Sequence, residues 1–172
     1  MTLRFYFSNT TSWYKKLGAW LIQGVEKTSY SHFAIGLDNG KEEIIFESVV
    51  PKSRRIKKTE WLRCEEIIKQ YTFIVPRTTF YEMDVFLNSQ MNKWYSLSQC
   101  FWIGVMLIFK IKKWFNRNSI QLNGKHHLIC TELGYLFCRE FFHKVPNLNE
   151  DYFDLKEMQN LITYIIENDV TK

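Results

Sequence analysis

Residues 31–48 read SHFAIGLDNGKEEIIFES, and this stretch decides how the whole chain is read. Two short runs, 32–37 and 43–48, flank Asn39-Gly40, the strongest short-range signal for a β-hairpin. With Asn39 and Gly40 as the central residues of a tight turn, Asp38 faces Lys41. By the same count Ile35 faces Ile44, Phe33 faces Phe46 and His32 faces Glu47. A period of two then collects Phe33, Ile35, Ile44 and Phe46 on one apolar face. The other face carries His32 beside Glu47, followed by Ala34 and Gly36, whose small side chains leave room for another element.

An imidazole opposite a carboxylate has two readings. As structure it is a cross-strand pair contributing a few tenths of a kcal/mol. As chemistry, the carboxylate accepts a hydrogen bond from one ring nitrogen, fixes the tautomer and raises the basicity of the other. That is how a general base is oriented in a catalytic triad.

A base of this kind needs a nucleophile, and the chain has four cysteines: Cys64, Cys100, Cys130 and Cys138. Cys130 opens CTELGYLFCREFF, in which Leu133, Leu136, Phe137 and Phe141 form an apolar helical stripe. The polar NGKHH precedes it, which sets Cys130 at a helix N-terminus. There the positive end of the helix dipole and the backbone N–H groups favour a thiolate and can stabilise a developing oxyanion. Gly134 costs about 1 kcal/mol in a helix relative to alanine, so close packing is expected at that position, against the Ala34/Gly36 face. The rival nucleophile is Cys100 in SLSQCFWIG, which would pair with His126 or His127. Its C-terminal neighbours are apolar, which favours a core position. Cys64 and Cys138 read as small buried thiols. His126 and His127 lack the ligand spacing of a structural zinc site, so no metal or other cofactor is expected.

At 172 residues the chain is long enough for one domain with a substantial core, spanning 1–172. A hydrophobic content of 46%, with only 7 glycines and 3 prolines, excludes disordered and fibrous classes. No cysteine pair has CxxC spacing, and Cys130 and Cys138 on one helix would lie about 12 Å apart along its axis, too far for a disulfide. The N-terminus lacks the apolar region of a secretory signal, and the run 101–109, FWIGVMLIF, is too short to span a bilayer. Free thiols in a cytoplasmic protein are therefore expected.

The order of elements is a strand at 3–7, a helix after Thr11 or Ser12, the hairpin and a further strand at 71–75. Helices follow at 81–92, 96–116, 130–142 and 155–167. Residues 53–58, SRRIKK, read as a charged, solvated connection. This pattern is α+β, with an antiparallel sheet.

The histidine of YSHFAIGL, the acidic residue of IIFES and the downstream cysteine of CTELGYLF together resemble the circularly permuted papain-like hydrolases. These are permuted relatives of the NlpC-type amidases, and the YiiX-like group is the most similar. The resemblance covers roughly residues 1–50 and 90–142. It implies a permuted papain-like fold, in which an antiparallel sheet packs against a helix carrying the nucleophilic cysteine. It also implies that Cys130 is the nucleophile, His32 the general base and Glu47 the orienting residue. NKWYSL resembles the tyrosine-containing segment before the cysteine half, with Ser96 where an aspartate is expected; Tyr95 enters as a substrate or oxyanion residue on that ground alone. The Asn-Cys-Glu-His signature of the lecithin-retinol acyltransferase branch is absent.

The function expected is a thiol-dependent hydrolase of the amidase, peptidase or isopeptidase type, with a peptide, isopeptide or lipid-ester substrate. The alternative is a non-enzymatic binding module on the same fold. Its net charge of +5 suits an anionic partner, but no zinc-finger or RNP-type signature points to nucleic acid. The segment 101–115 reads as a core helix ending in lysines, or as an element resting on an anionic membrane surface.

Overall fold

A computed structural model of the chain describes residues 1–12, 16–96, 127–143, 145–146 and 153–168. Five strands form an antiparallel sheet: β1 (Thr2–Thr10), β2 (His32–Asp38), β3 (Glu43–Glu47), β4 (Arg54–Lys57) and β5 (Glu65–Ile74), in the order β4-β3-β2-β1-β5. The helices are α1 (Lys16–Glu26), the short α2 (Lys58–Trp61), α3 (Arg77–Ser89), α4 (Cys130–Phe141) and α5 (Leu155–Asn168). Two residues each of β6 (Trp94–Tyr95) and β7 (His127–Leu128) pair in parallel beside this sheet. The α+β class and the antiparallel sheet are as expected from the sequence.

The hairpin differs from its sequence reading by two residues. Asp38 pairs with Glu43 rather than facing Lys41, so Ile35 lies opposite Phe46 and Ala34 opposite Glu47. The cause is local. The Asn39 side-chain carbonyl accepts the N–H groups of Lys41 and Glu42 at 2.9 and 3.0 Å, and Asp38 accepts that of Gly40 at 2.8 Å. These bonds build a four-residue loop, with Gly40 at a φ of 87°, in place of a tight two-residue turn. Because the shift is even, every side chain stays on its expected face.

Each strand is therefore two-sided. Leu3, Phe5, Phe7, Phe33, Ile35, Leu37 and Phe46 face a large apolar cluster completed by Phe80, Met83 and Leu87 of α3, Leu133 and Phe137 of α4, and Met158 and Ile162 of α5. The reverse face is smaller: Tyr6, Ala34 and Ile45 are covered by Trp61 of α2. The stretch read as a solvated connection thus supplies an edge strand and the helix that closes the second face. The strand expected at 71–75 is the end of the longer β5. Apart from Ser96, the helix expected at 96–116 lies outside the described residues.

The α4 helix packs on the large apolar face, not on the Ala34/Gly36 side. A Cβ on Gly134 would sit 2.5 Å from Phe33 Cε1 and 2.8 Å from Met158 Sδ, so only glycine lets α4 approach both. Gly36 instead makes room for Tyr6 and Glu43 on the reverse face. Gly134→Ala gains about 1 kcal/mol of helix propensity but overpacks Phe33 by more. A net loss of about 1 kcal/mol is expected, measured as a lower midpoint in urea unfolding.

Candidate active site

His32 is the first residue of β2, aligned with Ser8 of β1; the Ser31 N–H donates to the Ser8 carbonyl at 3.1 Å and anchors this strand end. Glu47 is the last residue of β3. It stands two residues along the strand from the position opposite His32, a diagonal neighbour on the same face that long side chains can span. The imidazole Nε2 lies 2.8 Å from Glu47 Oε2.

Ser48, which follows Glu47, donates its hydroxyl to the Leu128 carbonyl at 2.7 Å. The end of β3 thus also holds the strand that leads into Cys130. Three further bonds define the start of α4. The Ile129 N–H donates to Glu132 Oε2 at 3.3 Å, the Leu133 N–H donates to the Ile129 carbonyl at 3.0 Å, and the Thr131 hydroxyl donates to the Phe153 carbonyl at 2.5 Å. Ile129 has no side-chain acceptor, so Glu132 supplies the only side-chain half of this cap. Cys130, 7% exposed, opens the helix, and its thiol lies close enough to His32 to help raise the imidazole. The structure brings Cys130, His32 and Glu47 together.

The carboxylate of Glu47 is completely buried. Its Oε1 accepts from Arg54 Nε at 2.8 Å and contacts Arg54 Nη2 at 2.7 Å; its Oε2 accepts from the Trp61 indole N–H at 2.8 Å and from His32. Burial by itself would raise the carboxyl. The hydrogen bond and charge of His32, the charge of Arg54 and the Trp61 donor outweigh it and hold Glu47 down at about 2. An ionised carboxylate only accepts, so Nε2 of His32 must carry a proton, and Nδ1 is the nitrogen left for the thiol. His32 is itself pushed well above its ordinary value: burial opposes the charge, but hydrogen bonds to Cys130 and Glu47 and their charges prevail.

Other residues singled out in the sequence are placed as follows. Tyr95 pairs through its backbone with Leu128, two residues before Cys130, and its N–H donates to the Pro51 carbonyl at 2.9 Å. Ser96 beside it is buried. His127 is aligned with Trp94 on β7. Cys100, His126 and the segment 101–115 lie outside the described residues. Cys64 is half-buried and Cys138 fully buried; burial drives the Cys138 thiol far above its ordinary range. Among the described residues no group of three His, Cys, Asp or Glu side chains is arranged to hold a metal ion, and no helix is long and apolar enough to cross a membrane. Arg54 and Trp61 were not recognised from the sequence, because a basic run reads as solvated and a lone tryptophan as core.

The site carries a pH signature. Glu47 is depressed in the folded chain, so its stabilisation is full above its ordinary 4.5 and is lost as pH falls towards about 2. His32 is raised, so its stabilisation is full below its ordinary 6.5 and is lost as pH climbs through the higher folded value. Glu47→Gln is expected to cost about 3 kcal/mol at neutral pH, because it strands buried donors and a cation. It should also flatten the acid limb, read from urea midpoints between pH 2 and 8. No family model and no curated protein matches the chain.

Proposed function

We propose that the chain is a cysteine hydrolase of the permuted papain-like type, with Cys130 as nucleophile, His32 as general base and acid, and Glu47 as the residue that orients the imidazole. One observation carries the reading: a single imidazole lies 2.8 Å from a buried carboxylate and beside the thiol that opens a helix. A cross-strand pair that served only stability would have no need of the thiol.

In the proposed cycle the Cys130 proton passes to His32 Nδ1, and the thiolate attacks the carbonyl carbon of an amide, isopeptide or ester. Sulfur bonds to carbon, and the carbonyl π electrons move onto oxygen. The backbone N–H groups of Cys130 and Thr131 precede the first intrahelical bond and are the candidate donors to that oxyanion. The imidazolium protonates the leaving nitrogen or oxygen as its bond to carbon breaks, leaving a thioester. Water, deprotonated by His32, then attacks the thioester; the acid departs and the thiol is restored. Glu47 keeps the ring aligned throughout and neutralises the imidazolium. The permuted papain-like fold is part of the same proposal. The five-stranded antiparallel sheet, with the cysteine-bearing helix on its large apolar face, supports it.

The reading is tested by alkylation with iodoacetamide at each cysteine across pH, resolved by peptide mass, in wild type and His32→Ala. Cys130 is expected to react faster than the other thiols, and His32→Ala to slow it tenfold or more while leaving them unchanged. Cys130→Ser should then abolish turnover of any amide or ester substrate found by screening. If Cys130 reacts like its fellows and ignores His32, the hydrolase reading fails. The pair is then structural, and the basic chain is to be read as a binding module.

A further inference from the structure

The two oxygens of Glu47 serve different partners. Oε2 faces His32 and Trp61, while Oε1 is occupied by Arg54 through Nε and Nη2 at 2.8 and 2.7 Å. Arg54 is not adventitious in this position. It opens β4 directly opposite Glu47 in the β3–β4 ladder, so strand pairing delivers the guanidinium to the carboxylate. The arginine side chain is 44% exposed, whereas the carboxylate is wholly buried. Its charge is therefore anchored at the protein surface, and only one end reaches into the site.

We propose that Arg54 is a positioning residue of the Cys130–His32–Glu47 site: by holding Oε1 it keeps Glu47 ionised whether or not His32 carries its second proton. This rests on the catalytic reading above. Without Arg54, neutral His32 would leave a buried carboxylate with neutral donors and no compensating positive charge, which is costly enough to favour its taking up a proton. The Glu47–His32 pair would then exchange a proton between them, and the base would be lost in part of its own cycle. With Arg54 present, Glu47 is compensated in both states, and the proton of His32 has only Cys130 and the substrate to go to.

The charged and titratable groups around His32 are few enough to predict the direction of change. Among the described residues they are Glu47 of β3, with Arg54 of β4 bonded to it, and Cys130 of α4. Two strands along the sheet from β2, beyond β1, Glu65 of β5 is buried, accepting from Ser8 at 2.9 Å. Lys58 of α2 is engaged with Glu43 at 2.9 Å, away from the imidazole. Removing Arg54 leaves His32 as the charged partner of Glu47, with Trp61 as a neutral donor, so the imidazolium gains stability.

The experiment follows His32 ring nitrogens and the Glu47 carboxyl carbon by NMR against pH in wild type, Arg54→Gln and Arg54→Lys. In wild type the Glu47 carbon should stay flat while His32 titrates. In Arg54→Gln the His32 transition should move up by roughly one pH unit. Arg54→Lys, which keeps the charge but loses the two-point contact, should shift less in the same direction. If Arg54→Gln does not fold, the wild-type titration and Arg54→Lys decide the question. A full-sized protonation step of Glu47 within the His32 transition of wild type overturns the proposal. So does a His32 transition that is the same in all folded variants, with only thermal stability lowered. The alkylation comparison with His32→Ala separates the two failures. An unreactive Cys130 sinks the catalytic reading, whereas a reactive Cys130 with an unmoved His32 transition sinks only the role of Arg54.

Discussion

A carboxylate with no exposed surface sits at the end of β3, and the surrounding architecture follows from the need to keep it charged. An ionised group taken out of water must find compensating charge and hydrogen bonds or surrender its ionisation. Glu47 meets this with a guanidinium, an indole and an imidazole, one from each of β4, α2 and β2. Those three elements can satisfy it together only if β3 lies between β2 and β4, with α2 folded back across the reverse face. The polar group thus specifies the arrangement of one edge of the sheet as well as orienting the histidine.

The same logic recurs four residues earlier on the same strand face. Glu43 accepts from Arg4 at 2.6 Å, Lys58 at 2.9 Å and the Tyr6 hydroxyl at 2.5 Å, and Arg4 also bonds Asp38 at 3.0 Å. The short α2 links the two glutamates, since Lys58 at one end serves Glu43 and Trp61 at the other serves Glu47. Trp61 further packs on Tyr6 with ring centroids 5.4 Å apart. A four-residue helix could not hold its place by its own hydrogen bonds. Here it is held by two carboxylates of one strand, Glu47 buried and Glu43 half-buried.

Much of the site was legible in local pattern. The alternation of 32–37 and 43–48 placed His32 and Glu47 on one face, and the loop ahead of an apolar helical stripe placed Cys130 at a helix start. The chain does not form the tight turn that Asn39-Gly40 predicts, because Asn39 and Asp38 close a longer loop through their side chains. The two-residue difference in register is even, so the pair is diagonal instead of directly opposed, and both residues stay on the same face. Gly134 was identified as a close-packing position, but its partners are Phe33 and Met158 rather than the Ala34/Gly36 face. A small residue signals proximity without saying to what.

What the sequence by itself determined is whatever depends on periodicity and short-range chemistry: the α+β order, the faces of the hairpin, and the thiol at the head of an amphipathic helix. Periodicity assigns side chains to faces because the geometry of a strand or helix repeats within a few residues. Only the tertiary structure decided what neutralises Glu47, since Arg54 in a run of cations and Trp61 beyond it carry no local mark of their partner. It also decided that α4 meets the sheet on its large apolar face, bringing a cysteine 98 positions downstream against the first residue of β2. Long-range contacts depend on which surfaces exclude water together. That is a property of the assembled elements, and no single stretch contains it.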